Sequence, residues 1–324
     1  MTDISRRALI FGVTGQDGAL LAQHLLAQGC EVHGTSRRWN ASGGNLRTLG
    51  ISDSVRAHTV DPVDKAIVAE LIDGVRPSEV YNLAGQSSVG LSFAQPGLTF
   101  DSHVGSTMAI LEAIRVRSPG CRFFHASSGE IFGGTGPEGA DESTALAPCT
   151  PYGAAKAAAT LLVGSYRKAF GLYACSGILF NHESPLRSGS FVTQRIAHGA
   201  AAIKMKRASK LSLGNVQVVR DWGWAADYVE CMAMMLRQPE PRDYVVASGV
   251  GTPLESFVER VFSRFNLDWK ECVVRDEALV RPTDIEISVG NPRAAQRDLG
   301  WRARVGMPEV AYRLADAALV QSRR

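Results

Sequence analysis

The chain has no cysteine pair with CxxC spacing. Its six cysteines, Cys30, Cys121, Cys149, Cys175, Cys231 and Cys272, are scattered, which suits neither a zinc site nor a disulfide framework. Buried free thiols in a reducing cytosol are expected instead. The seven histidines show no HExxH or comparable ligand spacing, so no metal is expected. No apolar run approaches the ~20 residues of a membrane span. Met1–Arg7 leaves no room for a signal peptide before the first strand-like run, and a cytoplasmic location is expected. A net charge of +3 is too small to argue for nucleic acid or a membrane surface, though it allows a local basic pocket for an anionic ligand. Repeats, low-complexity tracts and an obvious linker are also missing. What remains is 45% apolar and 21% charged over 324 residues. That is an ordinary soluble balance, with room for one large domain or two intimate ones.

The most informative feature present is near the start. A strand-like run, Ala8–Phe11, ends in Gly12-Val-Thr14-Gly15-Gln16-Asp17-Gly18, and an apolar helical pattern follows at once. A glycine-rich turn from strand into helix brings backbone N–H groups and a helix N-terminus against a pyrophosphate. Gly12 suits the tight turn, Gly15 the approach to phosphates and Gly18 the packing of helix on strand. The spacing is GxxGxxG, not the GxGxxG of the common dinucleotide fingerprint. About 20 residues on, where NAD enzymes carry an acidic residue for the ribose 2′-hydroxyl, stands Ser36-Arg37-Arg38. Arginine matches a 2′-phosphate bidentately, so NADP is the expected cofactor.

Strand and helix patterns alternate through the first half. Strands are expected at Glu31–Thr35, Val55–Val60, Glu79–Leu83, Arg122–Ala126 and Tyr173–Leu179. Helices are expected at Ala19–Gln28, Asp64–Val75, Thr107–Val116 and Pro151–Phe170. This βαβ rhythm predicts an α/β fold, a Rossmann-type doubly wound parallel sheet whose ligands sit beyond the carboxyl ends of the strands. After about Asn181 the rhythm loosens. Residues 1–180 are expected to form the NADP-binding domain, with 216–250 crossing back into it. Residues 181–215 and 251–324 are expected to form a smaller C-terminal α/β substrate domain.

Two further segments carry chemistry. Tyr152 and Lys156, at i and i+4, share one helix face. A tyrosine acting as a base near neutrality needs its pKa of ~10 lowered by about three units, or roughly 4 kcal/mol. One positive charge ~4 Å away at an effective dielectric of ~20 supplies about that much. The other segment is Ala126-Ser127-Ser128-Gly129-Glu130, at the end of an expected strand. There Ser128 can hydrogen-bond a reacting hydroxyl and Glu130 can move a proton.

With these residues goes a family resemblance that runs nearly end to end. The chain resembles the extended short-chain dehydrogenase/reductases, and among them the GDP-mannose 4,6-dehydratase family. The matching segments include 12–18, Glu-Val-His-Gly 31–34 with Arg37-Arg38, Val-Tyr-Asn-Leu-Ala 80–84, and Pro-Tyr-Gly-Ala-Ala-Lys 151–156. Asn-His-Glu-Ser-Pro 181–185, Phe-Val-Thr 191–193, Arg-Asp-Trp-Gly 220–223 and Arg-Pro-Thr-Asp 281–284 continue it.

The resemblance implies a GDP-sugar 4,6-dehydratase acting on GDP-mannose or GDP-manno-heptose, with a 4-keto-6-deoxy-sugar reductase or an epimerase as the alternative. It implies Ser128, Glu130, Tyr152 and Lys156 as catalytic residues. Leu83, Ala84, Asp61 and His182 join the glycine-rich turn and the arginines on the cofactor. Ser87, Asn181, Arg195, Arg220, Arg281 and Glu286 are implied for the sugar nucleotide, and a homodimer or homotetramer for the assembly. The family usually has Thr at Ser128, Ser at Gly129, a second Arg near Leu186-Arg187, and a basic pair where Gln194-Arg195 stands. The small residues Gly129 and Ser188–Ser190 are expected to make room for a sugar longer than a hexose.

Overall fold

A computed structural model describes residues 6–39, 44–280 and 283–323. The expected strands form one parallel sheet. β1 (Arg7–Phe11), β2 (Glu31–Ser36), β3 (Val55–Thr59), β4 (Glu79–Asn82), β5 (Arg122–Ser128) and β6 (Ala174–Leu179) lie in the order β6-β5-β4-β1-β2-β3. The strand Tyr244–Val246 adds to β6 in parallel at the far edge. β1, β4 and β6 are buried almost throughout, as strands covered on both faces must be. The chain runs outward from β1 to β3, then returns to β4 and runs the other way. The crevice beyond the carboxyl ends of β1 and β4 is therefore the switch point where such sheets take ligands.

Helices cover both faces. On one face α1 (Gln16–Leu26) packs with the helix Ala225–Met235 over Ala8, Ile10, Tyr81 and Phe124. On the other, Lys65–Val75, Ser106–Arg117 and Pro151–Phe170 pack over Leu9, Phe11, Val80 and Phe123. A second core lies between the helices Val192–Lys204, Leu254–Ser263 and Glu309–Ser322.

Short strands join the two cores. Val219–Trp224 pairs with Gly251–Pro253, Ile287–Ser288 and Asn181–Glu183. Leu211–Leu213 pairs with Val273–Arg275. These pieces are two to six residues long, too short to show a period, and the sequence reading had not marked them. Among the described residues no helix is long and apolar enough to cross a membrane.

Candidate active site

The glycine-rich turn has the geometry its spacing suggested. Gly12 adopts φ +85°, and a Cβ there would come within 2.9 Å of the Ala84 backbone nitrogen. A Cβ on Gly18 would meet the Gly12 carbonyl oxygen at 2.3 Å, so only glycine lets α1 lie so close to β1. Gly15 is the N-cap of α1, and no side chain caps the helix. The first-turn N–H groups are thus left to an anion. The donor set and the close backbone approach fit the diphosphate of a dinucleotide.

The turn opens onto one continuous cleft of about 2260 Å³. Every residue proposed above for cofactor, substrate or catalysis borders it, apart from Arg281 and Glu286. Arg281 lies outside the described residues. Glu286 is exposed and contributes its backbone, its carbonyl accepting from Val219 N at 2.7 Å. It holds a strand edge and does not reach into the cleft. Arg37 and Arg38 are exposed just past β2, and Leu83 and Ala84 follow β4. Asp61 closes its own turn, accepting from Val63 N at 3.3 Å. Thr14 donates to Ser36 Oγ at 3.4 Å. Ser87 is exposed on the cleft wall. Asn181 opens the strand that pairs with Trp222.

The four catalytic candidates meet at the carboxyl end of β5. Thr150 is the N-cap of the helix Pro151–Phe170. Its Oγ1 accepts from Gly153 N at 2.9 Å, and Pro151 takes the first helical position. This start places Tyr152 and Lys156 on one face of the first two turns. Lys156 is buried, and its Nζ donates to the Ala126 carbonyl at 2.8 Å. Ser128 ends β5, and its Oγ accepts from Glu130 N at 3.2 Å. The Thr150 hydroxyl donates to Glu130 Oε2 at 3.4 Å. Thr150 thus starts the catalytic helix and also holds the glutamate. A cap residue before Pro was the available sequence signal for it.

The electrostatics differ from the expected ones. Burial and the nearby Glu130 carboxylate push the Tyr152 phenol up, only partly opposed by a hydrogen bond from Ser128. The Lys156 ammonium lies 5.8 Å from the Tyr152 ring centre and is itself pushed down to about 8 by burial. The protein groups alone therefore do not lower the tyrosine. Beneath it His103 meets the ring edge-on at 5.4 Å and donates from Nε2 to the Gln86 carbonyl at 2.8 Å. Burial and the Lys156 charge push His103 down to about 2, so no second cation stands there.

The missing side chain at Gly129 adds no room to the cleft. A Cβ there would lie 2.8 Å from the Phe180 ring, and one on Gly290 would lie 2.7 Å from the same ring. Phe180 fills the slot between the two glycines. The ring, which itself borders the cleft with Gly129, takes the space that the missing side chain was expected to free beside Glu130.

On the sugar-nucleotide side, Arg220 pairs with Asp284 at 3.2 Å and also donates to the Val219 carbonyl. A phosphate there has to compete with an acid that the sequence reading had not singled out. Arg195 donates to the Ser212 carbonyl at 3.1 Å. His182 and Asp17 form an ion pair at 3.0 Å.

The chain matches the family model described as GDP-mannose 4,6 dehydratase over residues 9–314. It is 40% identical over 332 residues to GDP-mannose 4,6 dehydratase 2 of Arabidopsis thaliana, covering 98% of this chain and 88% of the relative. To the GDP-mannose 4,6-dehydratase of Sinorhizobium fredii (strain HH103) it is 39% identical over 338 residues, covering 96% and 95%. Among solved structures, the Thermus thermophilus UDP-glucose 4-epimerase complex with NAD superposes with a TM-score of 0.83 at 27% identity, covering 96% and 98%.

Proposed function

The chain belongs to the GDP-mannose 4,6-dehydratase family, and from that premise we propose how its residues dehydrate GDP-mannose with a nicotinamide cofactor. The observation that carries the proposal is the meeting of Ser128, Glu130, Tyr152 and Lys156 at the end of β5, on the cleft that the glycine-rich turn opens. Held by the glycine-rich turn and Lys156, a nicotinamide would supply reversible hydride acceptance, from C4 of the sugar and back to C6. Tyr152 takes the proton from O4, and Ser128 holds that oxygen. Lys156 binds the nicotinamide ribose and supplies the nearest positive charge. The C4 ketone acidifies the C5 proton, which Glu130 removes and then delivers to the departing C6 hydroxyl.

NADP is the cofactor we propose, because Arg37 and Arg38 border the cleft just past β2, where a 2′-phosphate calls for a cation. For the sugar nucleotide we propose Ser87, Asn181, Arg195 and Arg220, with Arg220 released from Asp284 as the diphosphate arrives. Asn181 and Arg195 lie in the segment 181–215, which with 251–324 borders this side of the cleft, and we propose the two segments as the substrate domain.

The test is mass spectrometry of the product made from GDP-mannose by the purified protein. Loss of one water without lasting change in NADPH absorbance supports a dehydratase. Stoichiometric consumption of NADPH marks a reductase, and a product of unchanged mass an epimerase.

A further inference from the structure

We propose that Asp17 and His182, with Gln16 and Ser184, form a clasp that fastens the segment bearing Asn181 onto the glycine-rich turn and keeps the dinucleotide bound through the catalytic cycle. The proposal rests on the dehydratase reading above. In that reaction the same nicotinamide is needed at the end of a turnover as at its start, so its release has to be slow.

Gln16 and Asp17 occupy the first turn of α1, yet neither side chain caps the helix. Both turn instead toward residues 182–184. Asp17 Oδ2 accepts from His182 Nε2 at 3.0 Å. Gln16 Nε2 donates to the His182 carbonyl at 3.2 Å, and its Oε1 accepts from Ser184 Oγ at 2.9 Å. Asn45 extends the fastening, its Nδ2 donating to the Thr14 carbonyl at 3.2 Å and to the Leu186 carbonyl at 3.1 Å. The polar positions of the turn thus bind the opposite wall of the cleft.

His182 is charged in this arrangement. Its Nδ1 faces the Phe180 carbonyl at 2.7 Å and its Nε2 faces a carboxylate. Both nitrogens meet only acceptors, so both carry protons. The charge has a purpose at this place. A lone carboxylate in the first turn of α1 would repel a diphosphate bound at that helix end, and the imidazolium neutralises it. Tyr228 stacks on the imidazole at 4.5 Å and holds it in line. The Asp17 and His182 side chains are 24% and 9% exposed. Removing either partner leaves the other charge poorly solvated.

The experiment uses NADPH as probe and the whole chain. Bound NADPH is chased with excess unlabelled nucleotide, and its dissociation rate is compared for wild type, His182→Gln, Asp17→Asn, the double variant and Ser184→Ala. The expected result is faster release by about tenfold to a hundredfold in the single charge variants, the scale of one charge-assisted hydrogen bond. The double variant is expected to be no worse than the singles, because one interaction is lost. Ser184→Ala is expected to move the same way by a smaller factor, and it carries the test if a charge variant does not fold. In turnover, the charge variants should also shed GDP-4-keto-mannose together with an equal amount of NADPH, which an effect on folding alone would not produce. Release rates within about twofold of wild type in folded variants, or losses that multiply in the double variant, overturn the clasp. A wild-type chain that binds no nicotinamide nucleotide overturns the dehydratase reading and the clasp together.

Discussion

At the scale of single residues, the proposed reaction gives Glu130 and Tyr152 separable steps. Glu130→Gln keeps a hydrogen-bond acceptor for Thr150 but cannot take a proton. It is expected to bind NADP and GDP-mannose normally and to lose dehydration by at least about 100-fold. Exchange of solvent deuterium into C5 at the wild-type rate would refute the assignment. Tyr152→Phe should stop the first oxidation, so a single turnover should show no transient reduced nicotinamide absorbance. The Asp17–His182 pair makes a pH prediction with a definite sign. Burial opposes both charges, but mutual attraction wins, lowering Asp17 from 3.8 to about 2 and raising His182 above 6.5. Arg187 and Glu183 flank the pair, and Lys156 faces Asp17. The contribution of Asp17 is present above its ordinary value and fades as pH falls toward about 2. That of His182 is complete below 6.5 and fades as pH rises through its higher folded value. NADPH dissociation should therefore quicken on the alkaline side in wild type. In His182→Gln the part of this rise that belongs to the imidazole should be gone, leaving only the part due to Lys156, which burial pushes down to about 8, as measured by the same chase.

At the scale of elements, the N-cap Thr150 and the buried carboxylate of Asp221 each hold a piece of the site. Asp221 accepts from Ser248 N and Oγ at 2.8 and 2.6 Å, and from Gly249 N at 2.8 Å. The acid of the Arg-Asp-Trp-Gly segment thus anchors a loop, while its arginine borders the cleft. Thr150→Ala is expected to cost about 1 kcal/mol of stability in urea unfolding. Asp221→Ala should cost more, because it strands several partly buried donors at once, each at up to about 1–3 kcal/mol. A larger loss from Thr150→Ala would reverse this ranking. These elements also mark what could be read beforehand. The parallel strands declared themselves through the alternation of short strand-like segments, β1 the most apolar of them, with helical periods. The glycine-rich turn and the Tyr152–Lys156 pair were legible because their geometry is local. The short strands that pair around Val219–Trp224, and the pair Leu211–Leu213 with Val273–Arg275, were not legible, since pairing across the chain creates them, whereas Tyr244–Val246 could be read from Tyr244–Ala247. Nor were the contacts of Phe180 with Gly129, of Asp17 with His182, or of Asp284 with Arg220. Each joins positions 50 or more residues apart, and no local pattern records such a meeting.

At the scale of the whole molecule, the open question is the size of sugar that the cleft admits. Two features favoured a heptose: the glycine beside Glu130 and the small residues Ser188–Ser190. The structure removes the first, because the Phe180 ring occupies the space a side chain on Gly129 would take. The second remains, since Ser188 and Ser190 border the cleft and hydrogen-bond to each other at 3.0 Å on an exposed turn. Room there lies on the outer wall, beside Arg187 and Phe191, whose guanidinium and ring stack at 3.9 Å. A longer sugar would thus meet a wall of small hydroxyl side chains and no enlarged pocket at the reacting carbons. GDP-mannose is therefore expected to win a competition at equal concentration, with GDP-manno-heptose turned over more slowly and through a raised KM, not a lowered kcat. Enlarging the wall should sharpen the preference, so Ser190→Phe is expected to reduce heptose turnover while sparing mannose. Equal or faster turnover of the heptose by wild type would show that the outer wall, and not the Phe180 slot, sets the limit. Preference for a UDP- or CDP-sugar over both would remove guanosine from the assignment.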